Sequence, residues 1–107
     1  MPVDDYEAVR LSRLASDKGD YVGQNNLGYA YRNGKGGLPV DKAEAVRLYR
    51  LSADQGYALG QYNLGNSYEE GIGGLTATKA EAIRLYRLAA AQGNEDAKKA
   101  LVRLGQN

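Results

Sequence analysis

Apolar and polar positions in the segment 41–55 sort into three stripes at helical spacing. Ala45, Tyr49 and Ser52/Ala53 form one apolar stripe, Leu48 and Leu51 a second, and Arg47, Arg50 and Asp54 the solvent stripe. Two apolar stripes on one helix predict neighbours on two sides. The same pattern returns every thirty-seven residues. Arg-Leu-Tyr-Arg-Leu stands at 47–51 and 84–88, with Arg-Leu-Ser-Arg-Leu at 10–14. Gly19, Gly56 and Gly93 keep that step, as do Leu27, Leu64 and Leu101, and Glu7, Glu44 and Glu81. Pro2-Val3-Asp4 matches Pro39-Val40-Asp41 in the same register. The copies run 2–38, 39–75 and 76–107, within a single domain covering 1–107. One helix pair cannot bury two stripes per helix, whereas a stack of pairs can.

Each copy reads as two helices. The first, helix B, is expected at about Asp4–Lys18, Asp41–Gln55 and Thr78–Gln92. A capping residue followed three positions later by Glu marks each start: Asp4 and Glu7, Asp41 and Glu44, Thr78 and Glu81. In such a box the side chains satisfy each other's orphan backbone donors. Gly19, Gly56 and Gly93 end these helices, because a left-handed residue costs glycine little. The second, helix A, is expected at about Tyr21–Asn33, Ala58–Glu70 and Glu95–Leu104. Asp20 and Asn94 suit the capping position, and Tyr57 does not. Gly-rich loops follow at Gly34–Leu38 and Gly71–Leu75, giving six helices.

Composition narrows the function classes. A length of 107 residues allows one small domain. The net charge of +1 lacks the positive surplus of a dedicated nucleic-acid binder. The absence of Cys and His removes thiolate zinc sites, cysteine nucleophiles and the commonest general base. No apolar run approaches the ~18–20 residues of a membrane span. The chain is expected to be soluble and cytoplasmic, or periplasmic or secreted if a leader has been removed.

The copies resemble the Sel-one-like repeat (SLR), a relative of the tetratricopeptide repeat. The residues that carry the resemblance are Asn26-Leu27-Gly28 with Tyr31, and Asn63-Leu64-Gly65 with Tyr68, in helix A. The loops contribute Gly34-x-Gly36 and Gly71-x-Gly73. Helix B contributes Lys42-Ala43, Tyr49, Ala53 and Gly56, and again Lys79-Ala80, Tyr86, Ala90 and Gly93. The departures fall near the ends: Ser12 stands at the helix-B tyrosine position, Ala97 replaces Gly23 and Gly60, and Val102 replaces Gly28 and Gly65. The C-terminus therefore reads as a cap, and the N-terminus as an edge where an array can continue. The resemblance implies an all-α, right-handed α-α solenoid of about three helix pairs, with helix A along a concave face.

Several features have ordinary structural explanations. Tyr31, Tyr68, Tyr49 and Tyr86 sit at packing positions, and only Tyr29 and Tyr62 are candidates for partner contact. The arginine columns Arg10/Arg47/Arg84 and Arg13/Arg50/Arg87 have Glu three residues before the first and Asp17 and Asp54 four after the second. Such spacings predict helix-surface ion pairs rather than a basic rail. The Gly-x-Gly-Gly loops lack the Gly-Lys-Ser/Thr ending of a phosphate loop and read as connectors. No acid/base constellation exists beyond the caps, so the chain is expected not to be an enzyme. Neither cofactor nor metal is expected.

With Leu27, Leu64 and Leu101 as inward anchors, residues two before and two after are expected to face the groove. These are Asn25 and Tyr29, Tyr62 and Asn66, Lys99 and Arg103. Arg32, Glu69 and Gln106 lie one turn further. Such a face suits a peptide backbone, with a carboxylate near Lys99 and Arg103. Asn26 and Asn63 are expected to bond within the array. The function expected is a protein–protein interaction module, an adaptor or scaffold, binding a protein or peptide segment on the helix-A face. The partners expected exclude nucleic acid and membrane. The alternatives are a structural or self-associating segment of a longer array, joined through the apolar Ala8, Val9 and Leu14 of the first helix, and a bacterial toxin-neutralising or regulatory binding protein.

Overall fold

The computed structural model describes residues 4–106, so the Pro2-Val3 match lies outside the described residues. Among these there are six helices: α1 (Asp5–Asp17), α2 (Tyr21–Asn33), α3 (Lys42–Asp54), α4 (Ala58–Glu70), α5 (Lys79–Ala91) and α6 (Glu95–Arg103). Helices α1, α3 and α5 are type B, and α2, α4 and α6 are type A. Each packs on its sequence neighbours, and α2 also touches α4. The result is an all-α solenoid measuring 40 × 27 × 26 Å.

Local chemistry explains the boundaries. Asp20 and Asn94 accept from the backbone N–H of Gly23 (2.9 Å) and Ala97 (2.8 Å), capping α2 and α6. Asp41 accepts from Glu44 N–H at 3.0 Å, and Asp4 from Tyr6 N–H at 3.0 Å. After α1, Gly19 is left-handed (φ 81°), and Asp20 N–H donates back to Ala15 C=O at 3.0 Å, closing a Schellman turn. Tyr57 makes no side-chain cap. Its ring instead packs on Tyr21 at 4.9 Å, joining the starts of two helices A.

The capping boxes form only in part. Thr78 makes no side-chain cap, and its hydroxyl donates to Thr76 C=O at 2.8 Å. Glu44 and Glu81 do not reach back, because the N–H groups of Asp41 and Thr78 already donate to Tyr31 C=O (2.8 Å) and Tyr68 C=O (3.0 Å) of the preceding helix A. Glu7, Glu44 and Glu81 pair instead with Arg10, Arg47 and Arg84. The second arginine column does not use Asp17 or Asp54. Arg13 and Arg50 donate to the hydroxyls of Tyr31 (3.0 Å) and Tyr68 (2.7 Å), and Arg87 donates to Gln106 Oε1 (2.7 Å).

The core repeats with the helices. Tyr49 and Tyr86 are fully buried, lying over Gly28 and Gly65 of the preceding helix A. A Cβ on Gly65 would come within 3.0 Å of the Tyr86 ring, so close helix approach requires glycine there. The Gly-rich loops are ties as well as connectors: a Cβ on Gly36 would meet Val9 at 2.4 Å, and one on Gly73 would meet Lys42 C=O at 2.5 Å. The second stripe is narrower than the pattern suggests. Leu48 is buried, but Leu51 is 40% exposed, alongside Leu14 and Leu88 at the same position. Val9, expected in an open stripe, is buried with Leu27 and packed by Leu38.

Candidate functional site

Because α2, α4 and α6 succeed one another along one face, side chains from successive copies meet there. Asn63 Nδ2 donates to the buried Asn25 Oδ1 at 2.9 Å, the bond within the array expected of Asn63. Arg32 donates to Asn66 Oδ1 at 2.9 Å and to both oxygens of Glu70 at 2.8 and 2.9 Å. Arg103 grips Glu69 through two bonds of 2.6 and 2.8 Å, and Tyr86 donates its hydroxyl to the same carboxylate at 2.7 Å. The Arg103 guanidinium, with help from the Tyr86 hydroxyl, holds the Glu69 carboxyl below the usual carboxylate range against the opposing effect of burial. These contacts tie each helix A to the next.

Six of the nine residues expected in or beside the groove, namely Asn25, Arg32, Asn66, Glu69, Arg103 and Gln106, are therefore partners of one another or of the array. Arg103, expected to receive a carboxylate from outside, already holds one from inside. Lys99 is exposed on α6. Tyr29 and Tyr62 present rings to the face. Tyr29 is 50% exposed with the Lys35 ammonium 5.9 Å from its ring centre. Tyr62 is half-buried against Tyr86 at 5.7 Å, and burial, then the nearby Asp96 carboxylate, pushes its phenol pKa up.

A cleft of about 460 Å³ opens between these elements. Its walls are Ala8, Val9 and Ser12 of α1, Asn25, Asn26, Tyr29 and Ala30 of α2, and Leu59, Tyr62 and Asn63 of α4. Charges from Asp5, Lys35 and Asp96 border it. The cleft unites Asn25, Tyr29 and Tyr62 from the expected set and leaves Lys99 outside. Sequence reasoning missed Leu59, Asp96 and the α1 wall. Leu59 and Asp96 share a repeat position with Val22, five residues before the anchor leucine, so the register held a signal for them. The α1 wall had none, because the expected groove was drawn from helix A alone. An apolar hollow with a few amides and two tyrosines suits a hydrophobic side chain flanked by peptide groups. Among the described residues no cluster of acidic side chains is arranged to hold a metal ion, and no helix is long and apolar enough to cross a membrane.

The stacked helix pairs, the Gly/Tyr packing and the tied helix-A face define a tetratricopeptide-like repeat protein. The Sel1 repeat profile matches residues 1–20, 22–57 and 58–94, and the chain belongs to the Sel1 repeat family. Repeats of this family generally serve as protein–protein interaction modules. The structure is similar to that of c5321, a protective antigen present in uropathogenic Escherichia coli strains that displays an SLR fold. The identity is 41% and the TM-score 0.82, covering 91% of this chain and 20% of that one. It is also similar to a Sel1 repeat protein from Oxalobacter formigenes, with 28% identity and a TM-score of 0.79, covering 96% of this chain and 45% of that one. The chain thus spans a fifth of one relative and less than half of the other. No curated protein is significantly similar to it in sequence.

Proposed function

We propose that the chain is a non-catalytic adaptor that holds a short peptide or protein segment along the concave face of α2, α4 and α6. The observation that carries this reading is the apolar cleft with Tyr29, Tyr62 and the amides of Asn25, Asn26 and Asn63 in its walls. Tyr29 and Tyr62 supply contact area, and the amides supply bonds to a peptide backbone. Lys99 extends the contact at the far end. Arg32, Asn66, Glu69 and Arg103 hold the helices in the binding curvature, and a partner carboxylate reaches Arg103 only in competition with Glu69. A standard interface takes about 800 Å² from each partner, so a face this short fits a peptide rather than a globular surface.

The test is affinity capture from native extract with the wild type and a Tyr29→Ala/Leu59→Ala variant, both checked by circular dichroism. Loss of the captured partner in a folded variant supports the assignment. Undiminished capture places the contact elsewhere.

A further inference from the structure

The sequence has one Asn-Gly step, Asn33-Gly34, and it falls at the C-terminus of α2. Asn25, Asn26, Asn63, Asn66 and Asn94 are each followed by a residue that carries a Cβ. Glycine lacks that atom, so its backbone nitrogen reaches the preceding side-chain carbonyl with the least hindrance. Asn33 is exposed, and Gly34 is left-handed (φ 67°). The next copy places Glu70-Gly71 at the same position, with Gly71 at φ 69°. Glu70 has a helix A before it and is bound to Arg32, yet its side chain remains 44% exposed. Solvent access at this position therefore belongs to the stacked repeat itself.

Three bonds hold the step closed. Gly34 N–H donates to Ala30 C=O. Lys35 N–H donates to the same carbonyl at 2.9 Å. Asn33 Nδ2 donates to Tyr29 C=O at 3.0 Å, one turn earlier. Together they keep the Gly34 nitrogen in the helical ladder and the Asn33 amide engaged with the preceding turn.

We propose that Asn33 is a site of spontaneous covalent modification gated by the C-terminal turn of α2. When that turn opens, Asn33 converts to aspartate and isoaspartate, and the isoaspartate unties the following loop from α1.

The chemistry needs only water. The Gly34 nitrogen attacks the Asn33 side-chain carbonyl carbon. A new C–N bond closes a cyclic imide, and the side-chain nitrogen leaves as ammonia, taking the Gly34 amide proton. Water then cleaves a C–N bond of the ring. Cleavage at the side-chain carbonyl gives aspartate. Cleavage at the main-chain carbonyl gives isoaspartate, whose backbone runs through Cβ of residue 33 and is longer by that carbon.

Neither product can donate to Tyr29 C=O, because a carboxylate only accepts. Its charge stands at a helix C-terminus, where the macrodipole disfavours an anion. The extra backbone carbon of isoaspartate also shifts Gly34 and Lys35 out of register with Ala30 C=O. Those residues lead a loop that fits closely on its neighbours. A Cβ on Gly36 would meet Val9 at 2.4 Å, and Leu38 packs on the cluster that holds Val9 and Leu27. Packing that close does not tolerate a displaced loop. This chemistry is independent of what the concave face binds.

The full chain is incubated in warm, mildly alkaline buffer and sampled over time. Peptide mass mapping locates each deamidated residue, and an isoaspartyl methyltransferase with labelled methyl donor counts isoaspartate. Asn33 is expected to convert ahead of every other asparagine. Conversion in urea is expected to be about tenfold faster or more than in native buffer, because unfolding releases the bonds that hold the turn. Asn33→Glu, which installs the residue of the second copy, abolishes the methylation signal at this site. The isoaspartate fraction, separated by anion exchange, is expected to melt several degrees below the wild type. Asn33→Asp carries the same charge on an unlengthened backbone and melts above that fraction. Earlier conversion of another asparagine overturns the proposal. So do equal rates in native buffer and in urea, and so does an isoaspartate fraction that melts together with Asn33→Asp.

Discussion

Tyr49 and Tyr86 occupy the same position in successive copies and are both fully buried, yet they predict opposite responses to loss of the hydroxyl. Tyr86 donates to Glu69 Oε1 at 2.7 Å, and Arg103 secures that carboxylate. The counterpart of Glu69 one copy earlier is Arg32, which only donates and is engaged by Asn66 and Glu70. The Tyr49 hydroxyl is buried with no hydrogen-bond partner, although Arg32 lies close enough to act on its titration. Burial pushes the Tyr49 phenol pKa up to about 12. Replacing Tyr by Phe removes the hydroxyl and leaves the ring over Gly28 or Gly65. At residue 86 this deletes a hydrogen bond to a charged acceptor, a loss of about 1.5–3 kcal/mol. At residue 49 it removes an orphaned polar group whose burial costs about 1–3 kcal/mol, so the variant gains about 1 kcal/mol. Urea unfolding followed by far-ultraviolet circular dichroism measures both through the midpoint at constant slope. In melting temperature, 1 kcal/mol corresponds to about 4–8 °C for a domain near this size. If Tyr49→Phe lowers the midpoint as Tyr86→Phe does, the Tyr49 hydroxyl is satisfied in the native state and the argument fails.

Gly65→Val should destabilise the array by about 1–3 kcal/mol, because the new Cβ lies 3.0 Å from a fully buried Tyr86 ring that cannot swing away. At the equivalent open position on α6, Val102→Gly should cost only a few tenths of a kcal/mol in helix propensity, and calorimetric melting distinguishes the two. Glu69 has a folded pKa depressed chiefly by Arg103. Its contribution is complete above the unfolded value of about 4.3 and is lost as pH falls through the lower folded value. Melting between neutral and acid pH should therefore show a fall in that window that is smaller in Glu69→Gln. Arg84→Ala should leave the melting temperature nearly unchanged, since its pair with Glu81 is exposed and joins residues of one helix.

What the sequence made legible was chemistry that repeats or acts within a turn. The period placed Tyr49 and Tyr86 in the core, and the three-residue spacing placed Glu44 beside Arg47. What stayed hidden depends on the lateral offset between stacked pairs. Arg103 meets Glu69 at a separation of 34 residues, and Arg32 meets Glu70 at 38, so neither contact follows the period itself. Arg103 therefore read as a free cation and is half of an internal pair. Arg50 has Asp54 within one helical turn but bonds the hydroxyl of Tyr68, because α4 lies against α3 and brings a polar tip to the guanidinium. Which residues share the helix-A face follows from register, whereas the bonds of its charged residues follow from side-chain reach.

The same distinction governs the two ends. Interior stacking is specified by a matched pair, a glycine on helix A and a tyrosine on helix B, and changing one member alone creates either a clash or a void. Ser12 and Val102 each carry one altered member of that pair, small where the interior is large and large where it is small. They would fit each other in shape, yet Lys18 and Lys98 oppose across the same junction. Shape alone would let copies polymerise, and the charges disfavour it.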